Sequence, residues 1–379
     1  MIGMMKVVYA YALGAAPTVP ACLANFYYLR ESTSESTCSG PVVVVFDEEF
    51  YAILGDNPTI NSITSDPTFA FAHEAPVWVP ETDDVFFASN AGGALGRSNL
   101  YHDNQVAKIS LTEVADAMGG AARDVNVSHV KIDLPDTVQM TNGGTGPYHG
   151  NILFLNEGRG KLPSNAVLMN PYEPYNVTVL FDNFFGRQFN SLNDAKIHPS
   201  GQIFFTDPAY GYYQHFRDVP GLPNQVYAFD PSNGNTRVVA DQLNKPNGIA
   251  FTPDFKTVYL ADTGAYGSLW ANNQTLPATI YQYEVDPESL TLMNRRVFAF
   301  VDTGAPDGIN VDTNGNVYGG CSDGVHVWNP KGKLLGKFFV GSNTANFAFA
   351  GHGRLVILAE TEIFLAQIAA EGVDVTYNG

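Results

Sequence analysis

Four side chains stand out because their types and their phase agree. Glu74 in "HEAPVW", Asn193 in "SLNDAKIHPSGQIFFTDP", Asn247 in "PNGIAFTPDFKTVYLADTG" and Asp307 in "PDGINVDTNGNVYGGC" each open a strand–turn–strand outline. Two weaker versions open at Asn142 ("NGGTGPYHGNILFLNEG") and Asn346 ("NFAFAGHGRLVILAE"). Every one of these residues carries a side-chain oxygen. Gathered at one point, the two carboxylates and two amide carbonyls of the clear cases would make an all-oxygen nest. Such a nest suits a hard cation of flexible coordination, Ca²⁺ above all, with another divalent cation as the alternative. Two negative charges offset a divalent ion; without one, crowded carboxylates repel or take up protons. Taken singly, Asn-Asp, Asn-Gly and Asp-Gly are ordinary turn dipeptides. Four oxygen-bearing residues at one phase exceed that reading, and Glu is not a preferred turn residue.

The elements that must position these residues follow from the repeat. The hairpin outline returns roughly every 40–70 residues, the period of a repeat architecture. Further hairpins follow the third, fourth and fifth units, with turns at "PSNGN", "DPESL" and "NPKGK". Two hairpins per unit make a four-stranded antiparallel sheet. About six such sheets arranged radially make an all-β, six-bladed β-propeller around a central tunnel, which protects the strand edges of each blade. The first strand of each blade lines the tunnel, so equivalent lead-in residues meet near the axis at one mouth. "SLTEVADAMGG" is the best helix, in a long insertion between the first two units. Little chain remains after Asn346, so a strand from the N-terminal side must close the ring, and "PVVVVFDEEF" at 41–50 is expected to supply it. Residues 1–40 read as an N-terminal extension and 41–379 as one propeller domain.

Bulk properties narrow the partners. The net charge of −18 excludes nucleic acid, whose phosphates require a basic face. Three cysteines are too few for a disulfide framework; Cys321 reads as a buried thiol, and Cys22 and Cys38 could pair. Lys6, the apolar run "VVYAYALGAA" and the small residues of "TVPACLA" read as an imperfect signal peptide. With sequons at Asn126, Asn176 and Asn273, the chain leans toward the secretory route and glycosylation. No apolar run spans a bilayer, so no membrane partner is expected. "GCSDG" at 320–324 matches a nucleophile elbow, but the strand-like "VHVWNP" follows where a helix is required, which disqualifies Ser322. "DTNGN" at 312–316 reads as a hairpin turn, because Val317 stands where a calcium loop requires Gly.

The segments quoted above, with "PDGINVDTNGNVYGGCSDGVHVWNPKGKLLGK", resemble the gluconolactonase superfamily, which includes senescence marker protein and diisopropylfluorophosphatase. The likeness runs from about residue 41 to the end and is most similar to the fungal lactonohydrolases, which open aldonate and pantoyl lactones. It implies a calcium-dependent lactonase with a small-molecule lactone substrate, and metal ligands at Glu74, Asn193, Asn247 and Asp307. Departures are Ala75 where relatives often have Gly, Ala195 after "ND", and Phe255 in place of the Gly of the usual "PDGK" turn.

For that chemistry, a cation polarises the lactone carbonyl and a nearby carboxylate takes a proton from water. Asp307 is the first choice as base, or as nucleophile, and Asp194 the second; Asp194 reads equally as a turn cap. His149 is a candidate proton shuttle or a hydrogen-bonded turn residue. Arg187, Tyr210 and Tyr212 are candidate substrate contacts at the rim, Arg187 alternatively a plain salt bridge. His73 is expected to point away from Glu74 by strand alternation. Competing functions are phosphotriester hydrolysis on the same metal site and a non-catalytic, calcium-braced propeller that binds a partner.

Overall fold

The computed structural model describes residues Val7–Tyr9 and 40–379. Apart from Val7–Tyr9, the segment read as a signal peptide lies outside the described residues, as do Cys22 and Cys38. Six antiparallel sheets succeed one another along the chain. Blade one comprises Glu74–Val79, Asp84–Ala88, Val106–Ser110 and Val130–Ile132. Blade two comprises Thr141–Tyr148, Asn151–Asn156, Asn165–Met169 and Val177–Phe181. Blade three is built from Ala195–Ile197, Ile203–Asp207, Gln225–Asp230 and Asn235–Ala240. Blade four uses Pro246–Phe251, Thr257–Asp262, Thr279–Val285 and Leu292–Phe300. Blade five runs Ile309–Val311, Val317–Cys321, Gly324–Trp328 and Leu334–Phe339. Blade six takes Phe347–Phe349, Arg354–Leu358 and Glu362–Gln367 from the C-terminal side.

The ring closes differently from expectation. The fourth strand of blade six is Thr59–Ser65, paired antiparallel with Glu362–Gln367. Val42–Val45 instead pairs with Leu334–Phe339 at the outer edge of blade five, and Val7–Tyr9 adds to it in parallel. The run "VVVV" is buried throughout, which suits an added strand covered on both faces, whereas Thr59–Ser65 exposes four of its seven side chains at least partly. The closing strand needs only an alternating half-buried pattern, which "TINSITS" carries weakly.

Six apolar clusters hold the ring, each straddling two neighbouring blades. Phe181, Phe189, Phe205 and Tyr227 pack between blades two and three, and Phe204, Phe251, Val258 and Tyr283 between three and four. The last, between blades five and six, also takes up Phe50, Val43 and Ile60 from the N-terminal side. The predicted helix forms as α2, Leu111–Met118, after α1, Phe50–Leu54. Ser110 caps α2 by accepting from the Glu113 N–H. It lies within blade one, between its third and fourth strands. The expected turns form: Asp312 organises "DTNGN" by accepting from the backbone of Asn314 and Asn316 at 2.9 Å each. Ser322 and Asp323 sit in a strand-to-strand turn, and Cys321 is a buried free thiol. Among the described residues no helix is long and apolar enough to cross a membrane.

The candidate functional site

The first strand of each blade starts at one mouth of the tunnel, and there the lead-in residues meet. Glu74, Asn142, Asn193, Asn247 and Asp307 line one pocket of about 120 Å³. Its rim comes from the connections between second and third strands. Residues 89–105 of blade one bring Asn90 to Gly93, residues 208–224 of blade three bring Tyr210 and Gln214, and residues 263–278 of blade four bring Thr263, Tyr266, Ser268 and Leu269.

The backbone explains the recurring Asn-Gly and Asp-Gly pairs. None of Gly143, Gly248 and Gly308 has a positive φ, so none is there to make a left-handed turn. Instead a Cβ on Gly143 would fall 1.9 Å from the Asn193 carbonyl oxygen, on Gly248 2.3 Å from that of Asp307, and on Gly308 2.4 Å from Asn346 Oδ1. Each tunnel strand presses against the next at its first residues. The bond from Gly248 N–H to the Asp307 carbonyl, 3.1 Å, stitches two such strands together. Glycine is thus needed for close approach. At the matching position of blade one Ala75 stands instead and adopts φ 54, the left-handed region that Gly favours.

The oxygens of the pocket are nearly all buried, and several lack partners. Asn193 Oδ1, Asn142 Oδ1 and Asp307 Oδ1 have no hydrogen-bond partner among the described residues. Glu74 accepts from Asn346 Nδ2 at 2.8 Å through Oε2. Asn247 Nδ2 donates to the Tyr210 hydroxyl at 3.1 Å. Burial and the Asp307 charge push Glu74 well above the usual carboxylate range. Burial pushes Asp307 up to about 7, against the pull of His73. Two buried carboxylates lining one pocket beside orphaned amide oxygens are an arrangement that a hard dication satisfies. Among the described residues no cluster of three or more His, Cys, Asp or Glu offers a metal site. A cation held here would draw on the amide carbonyls as well as the carboxylates, an all-oxygen donor set of the kind hard cations take.

Other expected site residues are placed elsewhere. Asp194 does not line the pocket. Its Oδ2 accepts from the Ile249 N–H at 3.1 Å and its Oδ1 from its own successor Ala195 at 2.8 Å, so the carboxylate ties blade three to blade four, with Lys196 3.8 Å away. His149 is exposed at a hairpin tip of the opposite mouth, packed against Tyr148 and Tyr377, its N–H donating to the Tyr377 carbonyl. Arg187 is exposed on the small Asn183–Phe184/Arg187–Gln188 hairpin, beside Gln188 and Asp218, not on this pocket. Tyr210 lines the pocket from the short helix α3, Tyr210–Tyr213. Tyr212 does not; it packs on Tyr213 and Trp270 just outside. Sequence spacing put these residues near the blade mouths, but loop direction decides which mouth and which face.

His73 departs from expectation in the other sense: it lines the pocket beside Glu74. Alternation fails because His73 precedes the strand and the pairing shifts between Glu74 and Val77, at Ala75. Its Nδ1 lies 2.7 Å from Glu360 Oε1. Asn90 Nδ2 and Asn343 Nδ2 also donate to Glu360, each at 2.9 Å. Burial alone would lower the His73 pKa, but the Glu360 charge and hydrogen bond, with Glu74 and Asp307, raise it to about 10. Burial acts against Glu360 too, yet His73 and the donated bonds bring it down to about 2.

Sequence reading also missed the carboxylates that hold the lead-in loops. Asp207 accepts from the Asn190 and Ser191 N–H groups, and Asp262 from those of Asn244 and Lys245. The signal was present: "FFTD" and "YLAD" each end the second strand of a unit on Asp.

A second cavity, about 320 Å³, lies at the opposite mouth and is walled by Trp78, Phe251, Phe255, Phe349 and the C-terminal residues 371–376. Of the lead-in residues it touches only Asn346.

Residues 73–360 match the family model described as the SMP-30/Gluconolactonase/LRE-like region. Lactonohydrolase oryL of Aspergillus oryzae is 32% identical over 320 residues, 80% of this chain and 68% of that protein. A gluconolactonase of Zymomonas mobilis is 29% identical over 356 residues, 91% of this chain and 90% of that protein. Among solved structures, a gluconolactonase from Xanthomonas campestris has a TM-score of 0.67 at 22% identity, covering 87% of this chain and 95% of that chain. A putative gluconolactonase reaches 0.69 at 21% identity, covering 88% and 100%. With lead-in oxygens converging on one mouth of a six-bladed ring, the chain belongs to the SMP-30/gluconolactonase/LRE-like family.

Proposed function

We propose that the pocket at the lead-in mouth is the active site of a lactone hydrolase that works with a bound divalent cation, Ca²⁺ by the chemistry of its donors. The observation that carries this reading is the convergence of Glu74, Asn193, Asn247 and Asp307 on one pocket, with Asn193 Oδ1 and Asp307 Oδ1 unpartnered. The relatives support the reaction class: they are named lactonohydrolase, gluconolactonase and, over part of the chain, pentonolactonase. A structural neighbour at TM-score 0.60 is described as the calcium-binding protein regucalcin, which supports the cation.

In this reading Glu74, Asn193, Asn247 and Asp307 hold the cation. When bound, it supplies a Lewis acid that polarises the lactone carbonyl and offsets the negative charge formed on attack. Asp307 Oδ1, without a hydrogen-bond partner among the described residues, takes the proton from the attacking water. Tyr210 orients Asn247 by accepting from its Nδ2. The Asn90, Gln214, Ser268 and Asn343 side chains give the rim hydrogen-bonding groups for the rest of a small lactone. The narrow pocket holds substrate and water together, so orientation carries much of the rate.

The test is a calorimetric Ca²⁺ titration together with acid release from aldonolactones, pantoyl lactone and a phosphotriester, with and without chelator. Stoichiometric Ca²⁺ binding and chelator-sensitive lactone opening are expected. Lactone opening that persists in excess chelator would sink the cation mechanism, and phosphotriester turnover alone would replace the substrate class.

A further inference from the structure

Blade two carries only a weak lead-in signal, and the four clear ligands omit it. Yet Asn142 opens the first strand of blade two at the same phase and lines the same pocket. The residue is 5% exposed, and its Oδ1 has no hydrogen-bond partner. The other end of the amide is fixed: Nδ2 donates to Glu157 Oε1 at 2.8 Å, and Glu157 is fully buried at the end of the adjoining strand. A buried carbonyl oxygen left unpaired forfeits its hydration with no hydrogen bond in return. The neighbouring Gly143 abuts the backbone of Asn193, so this strand reaches the pocket pressed against that of a proposed ligand.

The sixth lead-in residue makes the contrast. Asn346 spends both ends of its amide, Nδ2 on Glu74 Oε2 at 2.8 Å and Oδ1 on the Phe347 N–H at 2.9 Å. Its role is to brace Glu74. Asn142, which lines the pocket, has one end braced and one end without a partner among the described residues.

We propose that Asn142 is a fifth protein oxygen of the cation pocket and that Glu157 is the residue that positions it. This rests on the reading that the pocket holds a divalent cation. Ca²⁺ takes six to eight oxygens, so five from the protein leave only a few positions for water and substrate. Glu157 acts through Asn142, as groups behind a metal ligand do when they fix its orientation.

The experiment is calorimetric Ca²⁺ titration of the full chain and of Asn142→Ala, Asn142→Leu, Glu157→Ala and Glu157→Gln, with circular dichroism to verify folding. Asn142→Leu fills the same space without an oxygen and guards against collapse of the alanine variant. Loss of the Asn142 oxygen should weaken Ca²⁺ affinity about 10–100-fold, the usual scale for a disturbed metal shell. Glu157→Ala should weaken it in the same direction. Glu157→Gln, whose Oε1 can still accept from Asn142 Nδ2, should restore most of it, which a merely structural Glu157 would not show. If the wild-type chain binds Ca²⁺ and the folded Asn142 variants match it, this inference falls and the cation reading stands. If the wild-type chain binds no Ca²⁺, both fall together.

Discussion

At the scale of single residues, the pocket sets carboxylates in a place that penalises their charge. Burial raises both Glu74 and Asp307, aided by the Asp307 charge at Glu74 and by the Glu360 and Asp194 charges at Asp307. Protons and cation therefore compete for the same oxygens. Ca²⁺ affinity should rise from pH 6 to pH 8, and binding should release protons, measurable by titration in buffers of different ionisation enthalpy. Asp307→Asn should abolish lactone opening, a loss of at least about a thousandfold for a group that serves both as ligand and as base; retention of activity would remove Asp307 from the chemistry. The His73–Glu360 pair behaves oppositely. His73, raised to about 10, contributes stability that is full below about 6.5 and lost as pH climbs through 10. Glu360, lowered to about 2, contributes above about 4.5 and loses it as pH falls through 2. Both contributions are complete only between those limits. Glu360→Gln strands a buried imidazolium and should cost about 3 kcal/mol near pH 6, read as a lowered Tm.

At the scale of elements, the tunnel strands decide whether the oxygens meet. Gly248 allows blade four to lie against the Asp307 backbone, with 2.3 Å between a hypothetical Cβ and that carbonyl oxygen. Gly248→Ala should push the strands apart, cost about 1–3 kcal/mol as overpacking does, and weaken Ca²⁺ binding more than its effect on Tm alone would explain. Asp194 belongs at this scale too. Its carboxylate accepts backbone N–H groups on two blades, so its removal disturbs Asn193 and Asn247 together. The structure thus moves Asp194 from the chemistry to the scaffold.

At the scale of the whole molecule, the two mouths differ. The upper one carries the oxygens. The lower one is crossed by the C-terminal residues, which bond to blade five through Val311 and Thr313 and to blade two, on the other side of the ring, through Pro147 and His149. Truncation after Ala370 removes these bonds and the Tyr377–Tyr148 stack at 5.3 Å. It should lower Tm by several degrees, as a loss of a few kcal/mol does in a domain of this size, while leaving Ca²⁺ binding at the other mouth intact. Loss of Ca²⁺ binding on truncation would show that the mouths are coupled.

The sequence by itself determined the repeat, and with it the blades, their hairpin turns and the lead-in residues. Those depend on local pattern: alternation for strands, Gly, Asn and Asp at turns, and one recurring phase. Tertiary structure alone decided the closing strand, because the sequence singles out the apolar run at 41–50 and only the ring shows that Thr59–Ser65 closes blade six while Val42–Val45 meets the edge of blade five. It also decided the far partners of the site. Glu360 reaches His73 across the whole length of the propeller sequence because blade six adjoins blade one, and no spacing along the chain encodes that contact. Arg187, His149 and Tyr212 were legible as loop residues but not as to direction, since a loop's path is set by what it packs against. Periodicity reports which face a residue shares with its neighbours in sequence; only the closed ring brings residues far apart in sequence to one mouth.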